Sequence, residues 1–239
     1  MSLTLDPQSF REFPHETSPI LFAAFAGLQL EKKIPSFHGL RAVEPFPVNK
    51  LAVRDVRQMM YQQGFPGTDG TAASVGHLLR EYVADRGFKA TLTMGSSMGG
   101  YASLLYGWFI GADVVHAFAP LTRLPTRTVP QNLLLLAKGH RRLATVNFRL
   151  LFDRELDRSC YDLSKVLSQS NGRTTYHIYY GTGHSRDNIH AKRMADIPGV
   201  MLHPYDTNDH QVATQIRDSG ELSRILARSL EDIEKRLAG

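Results

Sequence analysis

The stretch that most restricts what this chain can fold into is Lys89-Ala90-Thr91-Leu92-Thr93-Met94-Gly95-Ser96-Ser97-Met98-Gly99-Gly100-Tyr101-Ala102-Ser103-Leu104-Leu105. Residues 90–94 are small, β-branched or apolar and suit a strand buried on both faces. Beyond the glycines the composition is that of an apolar helix, with Ala102, Leu104, Leu105, Trp108 and Phe109. Only a very tight turn fits between the two. Gly95-Ser96-Ser97-Met98-Gly99 supplies one, a match to G-x-S-x-G with Ser97 at its centre. Its glycines let strand and helix pass closely without a Cβ clash, and the serine is held in a strained conformation with its hydroxyl above the strand end. The helix then points its first N–H groups toward negative charge developing there. A plain Gly-Ser loop is the competing reading. The strand before it and the helix after it are the context that favours the strained turn.

Around this centre, strand and helix signals alternate. Residues 1–18 are polar and proline-containing and read as a loosely attached lead-in. A continuous apolar run at 20–26, ended by Gly27, is one buried strand; 31–47, with Pro35, Gly39, Pro45 and Pro47, is loop; 51–56 is a second strand. Helical spacing of Val75, Leu78, Leu79, Tyr82 and Val83 predicts a helix over 71–86 that Gly87 ends. The elbow strand is thus the third convincing one. Residues 113–119 and 174–180 are further strands, with a turn at Asn171-Gly172 between helical pieces near 131–138 and 163–168 and the second of them. A helix follows from about 185 to 194, then a last strand at 200–203. A closing helix carries Leu222, Ile225, Leu226, Leu230, Ile233 and Leu237, with Asp218 or Ser219 as its cap. The alternation predicts an α/β fold with a mainly parallel sheet, and ligands beyond the carboxyl ends of its strands. All 239 residues fit one domain, 1–239, with 121–172 as a lid-like or connecting insertion.

The single cysteine, Cys160, excludes an internal disulfide framework and a cysteine-rich metal site, and reads as a small buried residue. That usage is compatible with the cytoplasm, where the chain is expected to reside. No apolar run is long enough to span a bilayer. The net charge of +5 carries no nucleic-acid-binding motif with it. It is uneven, however. Residues 121–160 hold eight basic side chains against Asp153, Glu155 and Asp157, a surplus equal to that of the whole chain. A solvated basic face and an anionic substrate both account for it.

With the turn placed, the order of features resembles the α/β-hydrolase superfamily over nearly the whole chain. It is similar to small bacterial members with a GSSMGG elbow, here Gly95 to Gly100, and a D-x-x-H-A segment, here Asp187-Asn188-Ile189-His190-Ala191. The chain reads as a trimmed member with helices on both sheet faces, without a large cap and without the usual opening strands. The resemblance implies a triad in the order serine, acid, histidine. Ser97 is the nucleophile. The histidine belongs in the loop after the last strand, where His203 and His210 compete; His210 is favoured because it lies in the polar segment 206–210, able to reach over Ser97. The acid belongs after strand 174–180, where Asp187 stands; Asp153, Asp157, Asp206 and Asp209 are weaker alternatives. Asp187 also reads simply as a charge at a helix N-terminus. The oxyanion donors implied are the N–H groups of Met98 and of Leu28, with Gly27 beside it.

The activity implied is that of a serine hydrolase of the carboxylesterase kind, cleaving an ester, thioester or amide of a small to medium substrate without a cofactor. Acyl transfer to an alcohol by the same triad, or a binding role on the same scaffold, are the alternatives. The ten histidines show no metal-ligand spacing and read as surface or hydrogen-bonded groups. Arg54-Asp55 reads as an ion pair bracing the loop after the second strand.

Overall fold

The computed structural model describes residues 4–125, 127–170 and 172–239. One sheet runs through them in the order β1-β3-β2-β4-β5-β6-β7. Its strands are β1 (Phe10–Phe13), β2 (Ile20–Phe25), β3 (Asn49–Val53), β4 (Ala90–Ser96), β5 (Val114–Phe118), β6 (Thr175–Gly181) and β7 (Val200–Tyr205). Every neighbouring pair is parallel except β1 with β3, where Phe10 faces Val53.

The lead-in is therefore not loose. It supplies an antiparallel edge strand, and the elbow strand is the fourth, not the third. Only Phe10 of this strand is buried, wedged edge-on against Phe65 at 5.1 Å. The remaining three residues face solvent, so the segment reads as polar.

Alternation along β2 shows why the sheet is covered twice. Leu21, Ala23 and Phe25 enter a core with α2 (Ala72–Asp85) and α3 (Met98–Ile110). Ile20, Phe22 and Ala24 enter a second core with α8 (Val212–Asp218) and α9 (Glu221–Ala238). Successive side chains of a strand point to opposite faces, and both faces of a parallel sheet need cover. α3 is apolar all round because it is buried all round; every residue from Met98 to Gly107 is inaccessible to solvent.

The loop predicted over 31–47 contains the short α1 (Leu40–Val43). Beyond β5 come α4 (Val129–Ala137), α5 (Arg141–Phe152), which the sequence reading lacks, and α6 (Leu163–Leu167). The turn expected at Asn171-Gly172 includes a residue outside those described. α7 (Ser185–Lys192) lies between β6 and β7. The closing helix is capped by Gly220 in the left-handed conformation, not by Asp218 or Ser219; those residues end the separate helix α8. Among the described residues no helix is long and apolar enough to cross a membrane.

Candidate active site

The elbow takes shape from forced proximity. A Cβ on Gly95 would lie 2.1 Å from the carbonyl oxygen of Gly99, and one on Gly99 would lie 2.2 Å from that of Phe25. No other residue type fits either position. Between them Ser97 sits at φ 56°, ψ −115°, a conformation costing a non-glycine residue about 1–3 kcal/mol. Its N–H is bonded to the Phe118 carbonyl at 2.9 Å, which pins the turn to the neighbouring strand. Met98 opens α3, so its N–H has no acceptor within the helix.

Two other loops converge on Ser97. His210 Nε2 lies 2.9 Å from Ser97 Oγ, and His210 Nδ1 lies 2.8 and 2.9 Å from the two carboxylate oxygens of Asp187. The Asp187 side chain is fully buried and that of His210 is 21% exposed. A carboxylate only accepts, so Nδ1 carries the proton and Nε2 is free to accept one from the serine. Asp187 sits in the first turn of α7, where the helix dipole also favours its charge.

The loops meet because residues 181–183 run against residues 207–209. The Gly183 N–H bonds to the Thr207 carbonyl at 3.1 Å, and a Cβ on Gly183 would sit 1.7 Å from Asn208 Oδ1. His203, the competing histidine, points elsewhere, its Nε2 2.9 Å from His177 Nδ1. Asp153 and Asp157 are engaged locally in the 149–159 segment.

Of the supporting residues in this region, only His190 belongs to a motif. His184 caps α7 and places Nδ1 3.0 Å from Asp187 Oδ1, and Arg186 Nε lies 3.9 Å from the same oxygen. His190, the histidine of the D-x-x-H-A segment, accepts at Nδ1 from the Thr122 N–H at 3.0 Å and so ties α7 to the loop after β5. Burial holds its pKa down at about 4, with help from Arg186 and Arg193.

The loop carrying Leu28 is held by the one after β3. Tyr61 donates its hydroxyl to the Ala26 carbonyl at 2.9 Å, and Gln58 Oε1 accepts from the Gln29 N–H at 2.8 Å. Gln58, Met60 and Tyr61 all have positive φ. What holds them is Asp55, whose carboxylate accepts from the N–H groups of Arg57, Met59 and Tyr61 at 3.1, 2.7 and 2.8 Å. Burial pushes its pKa up, and those hydrogen bonds oppose the shift. The expected Arg54–Asp55 ion pair is absent among the described residues. Arg54 instead donates to the carbonyls of Gln8 and Pro35 and lies over the Phe37 ring at 4.2 Å.

His184, Asp187 and His210 are also the described residues whose ligand atoms converge enough to hold a metal ion, all within 4.8 Å of one another. The 2.8 Å approach of His210 Nδ1 to Asp187 is hydrogen-bond length. Two ligands of a tetrahedral zinc at about 2.0–2.1 Å would stand about 3.3 Å apart. The spacing fits a proton relay better than a metal centre.

No family model matches the sequence, and no curated protein does. Solved structures do. The chain is similar to the capsule O-acetyltransferase of Neisseria meningitidis serogroup A, at TM-score 0.58 and 15% identity over 89% of this chain and 88% of that one. It is similar to MenH from S. aureus, at TM-score 0.57 and 14% identity over 94% and 98%. It is also similar to MGS-MChE2, an alpha/beta hydrolase enzyme from a lagoon-sediment metagenome, at TM-score 0.55 and 14% identity over 94% and 95%. At these identities the likeness is one of architecture. The chain has the α/β-hydrolase fold, which it shares with enzymes of hydrolase and acetyltransferase type.

Proposed function

We propose that the protein is a serine hydrolase of the carboxylesterase kind, acting on an ester, thioester or amide through an acyl-enzyme on Ser97. The observation that carries the reading is the unbroken hydrogen-bonded series from Ser97 Oγ through His210 to the buried Asp187. A serine hydroxyl is a weak nucleophile near neutral pH and needs an adjacent base. In the proposed reaction His210 Nε2 takes the Ser97 proton as Oγ bonds to the substrate carbonyl carbon. Asp187 holds the ring and stabilises the imidazolium. The oxyanion receives the N–H groups of Met98 and Leu28, each worth about 10²–10³ in rate. His210 then passes its proton to the leaving group as that bond breaks. Water, deprotonated by the same nitrogen, releases the acid and regenerates Ser97. In this reading residues 1–239 act as one domain, with 121–172 as a lid-like or connecting insertion.

Transfer of the acyl group to an alcohol uses the same intermediate, and the likeness to a capsule O-acetyltransferase favours it as the second reading. Intact-mass spectrometry after incubation with a fluorophosphonate tests the common step. One adduct per chain, lost in Ser97→Ala, is expected; no adduct on folded protein counts against both readings. Product analysis with and without an alcohol acceptor separates water from alcohol as the acyl acceptor.

A further inference from the structure

A cleft of about 400 Å³ opens between the loop after β2, the loop after β3 and helix α5, with Lys32, Lys33, Arg57, Arg141, Arg142 and Arg149 around it. No acidic residue lines it. Only Arg149 has a carboxylate partner among the described residues, Asp153 at 3.2 Å. Arg57 donates to the Gln63 carbonyl at 2.7 Å, Arg142 to the carbonyl of Leu30, and Lys32 to the Ser36 hydroxyl at 2.8 Å. These contacts hold Arg57, Arg142 and Lys32 without neutralising them. All six side chains are exposed, so water screens their mutual repulsion; what marks them is that three separate segments gather them around one cleft. The floor is apolar, formed by Leu30, Val56, Met59 and Val146. Its wall is Gln58, buried and at φ 52°, which holds both the Gln29 N–H and the Lys32 carbonyl. Leu30 lies two residues past Leu28, and two residues span at most about 7 Å of chain. Gly27, one residue before Leu28, lies against the elbow, where a Cβ would stand 3.2 Å from the Ser96 carbonyl oxygen, so the cleft begins on the loop that borders the elbow.

We infer that this cleft binds the anionic part of the substrate, a multiply charged phosphate or carboxylate group carried on an uncharged arm whose acyl carbon reaches Ser97. The inference rests on the reaction proposed at Ser97 and adds the class of molecule that enters it. It also gives a role to three of the eight basic residues of 121–160, Arg141, Arg142 and Arg149.

The test has a binding arm and a labelling arm, run on the wild type and on the double variant Lys33→Glu/Arg141→Glu. Among the described residues neither of these side chains has a hydrogen-bond or ion-pair partner. A glutamate at 141 also suits the first position of α5, so the fold should persist, and circular dichroism checks it. Isothermal titration with tripolyphosphate and with citrate reads the cleft directly. Binding at low ionic strength that weakens at least about tenfold in the variant and fades in high salt is expected. Binding of tripolyphosphate alone assigns phosphate, and equal binding of both assigns any polyanion. No binding to wild type, or equal binding to the variant, overturns the inference.

The labelling arm compares a neutral alkyl fluorophosphonate with one bearing a terminal carboxylate. Wild type should favour the charged probe about tenfold at low salt, with the ratio falling toward one in the variant. Equal labelling by both probes overturns the substrate role of the cleft. Labelling by neither strikes the Ser97 reaction instead, and the titration still decides whether the cleft takes anions.

Discussion

Two histidines in this fold make nearly the same hydrogen bonds and are set up for opposite chemistry. His210 has Ser97 Oγ at 2.9 Å from Nε2 and Asp187 at 2.8 Å from Nδ1. His116 has Ser229 Oγ at 3.0 Å from Nε2 and Tyr179 Oη at 3.0 Å from Nδ1. Both touch a serine. The difference lies behind the ring. His210 is backed by a carboxylate that welcomes a positive imidazolium. His116 is backed by a neutral phenol and lies 5.1 Å from the parallel ring of His177, with 1% of its surface exposed. Burial, with His177 and His203 nearby, holds its pKa down at about 3. A serine beside a histidine is thus not a nucleophile site. In the proposed reading, a buried acid on the far nitrogen and a strained backbone under the hydroxyl make the distinction.

The sharpest way to break this comparison is to remove each serine in turn. Ser97→Ala should abolish fluorophosphonate labelling and lower turnover by about 10⁴–10⁶. Ser229→Ala should leave labelling intact and cost about 1 kcal/mol of stability, the worth of a hydrogen bond. Labelling on Ser229 would show that the carboxylate is not what matters. Next in size is Asp187→Asn, which keeps the shape but lets the amide N–H face Nδ1 and favours the wrong tautomer. Turnover should fall about 10⁴-fold with Ser97 still in place. A fall no larger than tenfold would return Asp187 to the simpler role of a charge at a helix N-terminus.

How far this contrast was legible beforehand follows from where each signal lies. The elbow's spacing is legible because Gly95 is forced by Gly99 four residues on, although Gly99 is also forced by Phe25 of β2 and Ser97 is pinned by Phe118 of β5. The candidates His210 and Asp187 came from a resemblance in chain order, because their meeting depends on residues 181–183 packing against 207–209, a pairing no local pattern encodes. The histidine stack was invisible for the same reason. His116, His177 and His203 lie on adjacent strands; the register of β5 and β6 sets His116 opposite His177, and that of β6 and β7 sets His203 two residues along on the same face, opposite Tyr179. β1 was missed because its partner β3 lies some 40 residues on and only Phe10 is apolar and buried. Asp55 looked like half of an ion pair because its true partners are backbone N–H groups, which leave no trace in side-chain identity.

That buried carboxylate extends the comparison to the backbone. Ser97 is one strained residue; Gln58, Met60 and Tyr61 are three more, held by Asp55. Asp55→Ala leaves buried N–H groups without an acceptor, at about 1–3 kcal/mol each, so a loss of roughly 3 kcal/mol or more is expected in urea unfolding. Labelling of Ser97 should slow as the loop of Leu28 loosens. Unchanged labelling in the folded variant would separate that loop from the site.

Acid titration sharpens the contrast by a comparable amount. His116 and His190 are held neutral in the fold, near pKa values of about 3 and 4, against an ordinary 6.5. Below pH 6.5 the unfolded chain gains protons that the native state refuses, so stability falls as pH falls and levels off only near those lower values. With His177, which burial also holds at about 4, three such groups give a slope of up to about 4 kcal/mol per pH unit between roughly pH 6 and 4. A flat stability profile over that range would mean that these rings accept protons in the folded state.

The smallest expected effect concerns His184, and it tests which histidine the carboxylate serves. Its Nδ1 faces the Asp187 N–H at 3.4 Å and Asp187 Oδ1 at 3.0 Å. One nitrogen cannot accept from the first and donate to the second in the same tautomer. As acceptor it is a helix cap; as donor it steadies the carboxylate that orients His210. His184→Ala removes both. Loss of a cap costs about 1 kcal/mol of stability and nothing in kcat. Loss of a carboxylate partner should lower kcat about fivefold with KM little changed, the equivalent of about 1 kcal/mol in the transition state. A change in melting temperature alone assigns the cap. A fall as large as that of Asp187→Asn would mean that Asp187 acts through His184, and that the bond from His210 to Asp187 is not the one that sets the tautomer.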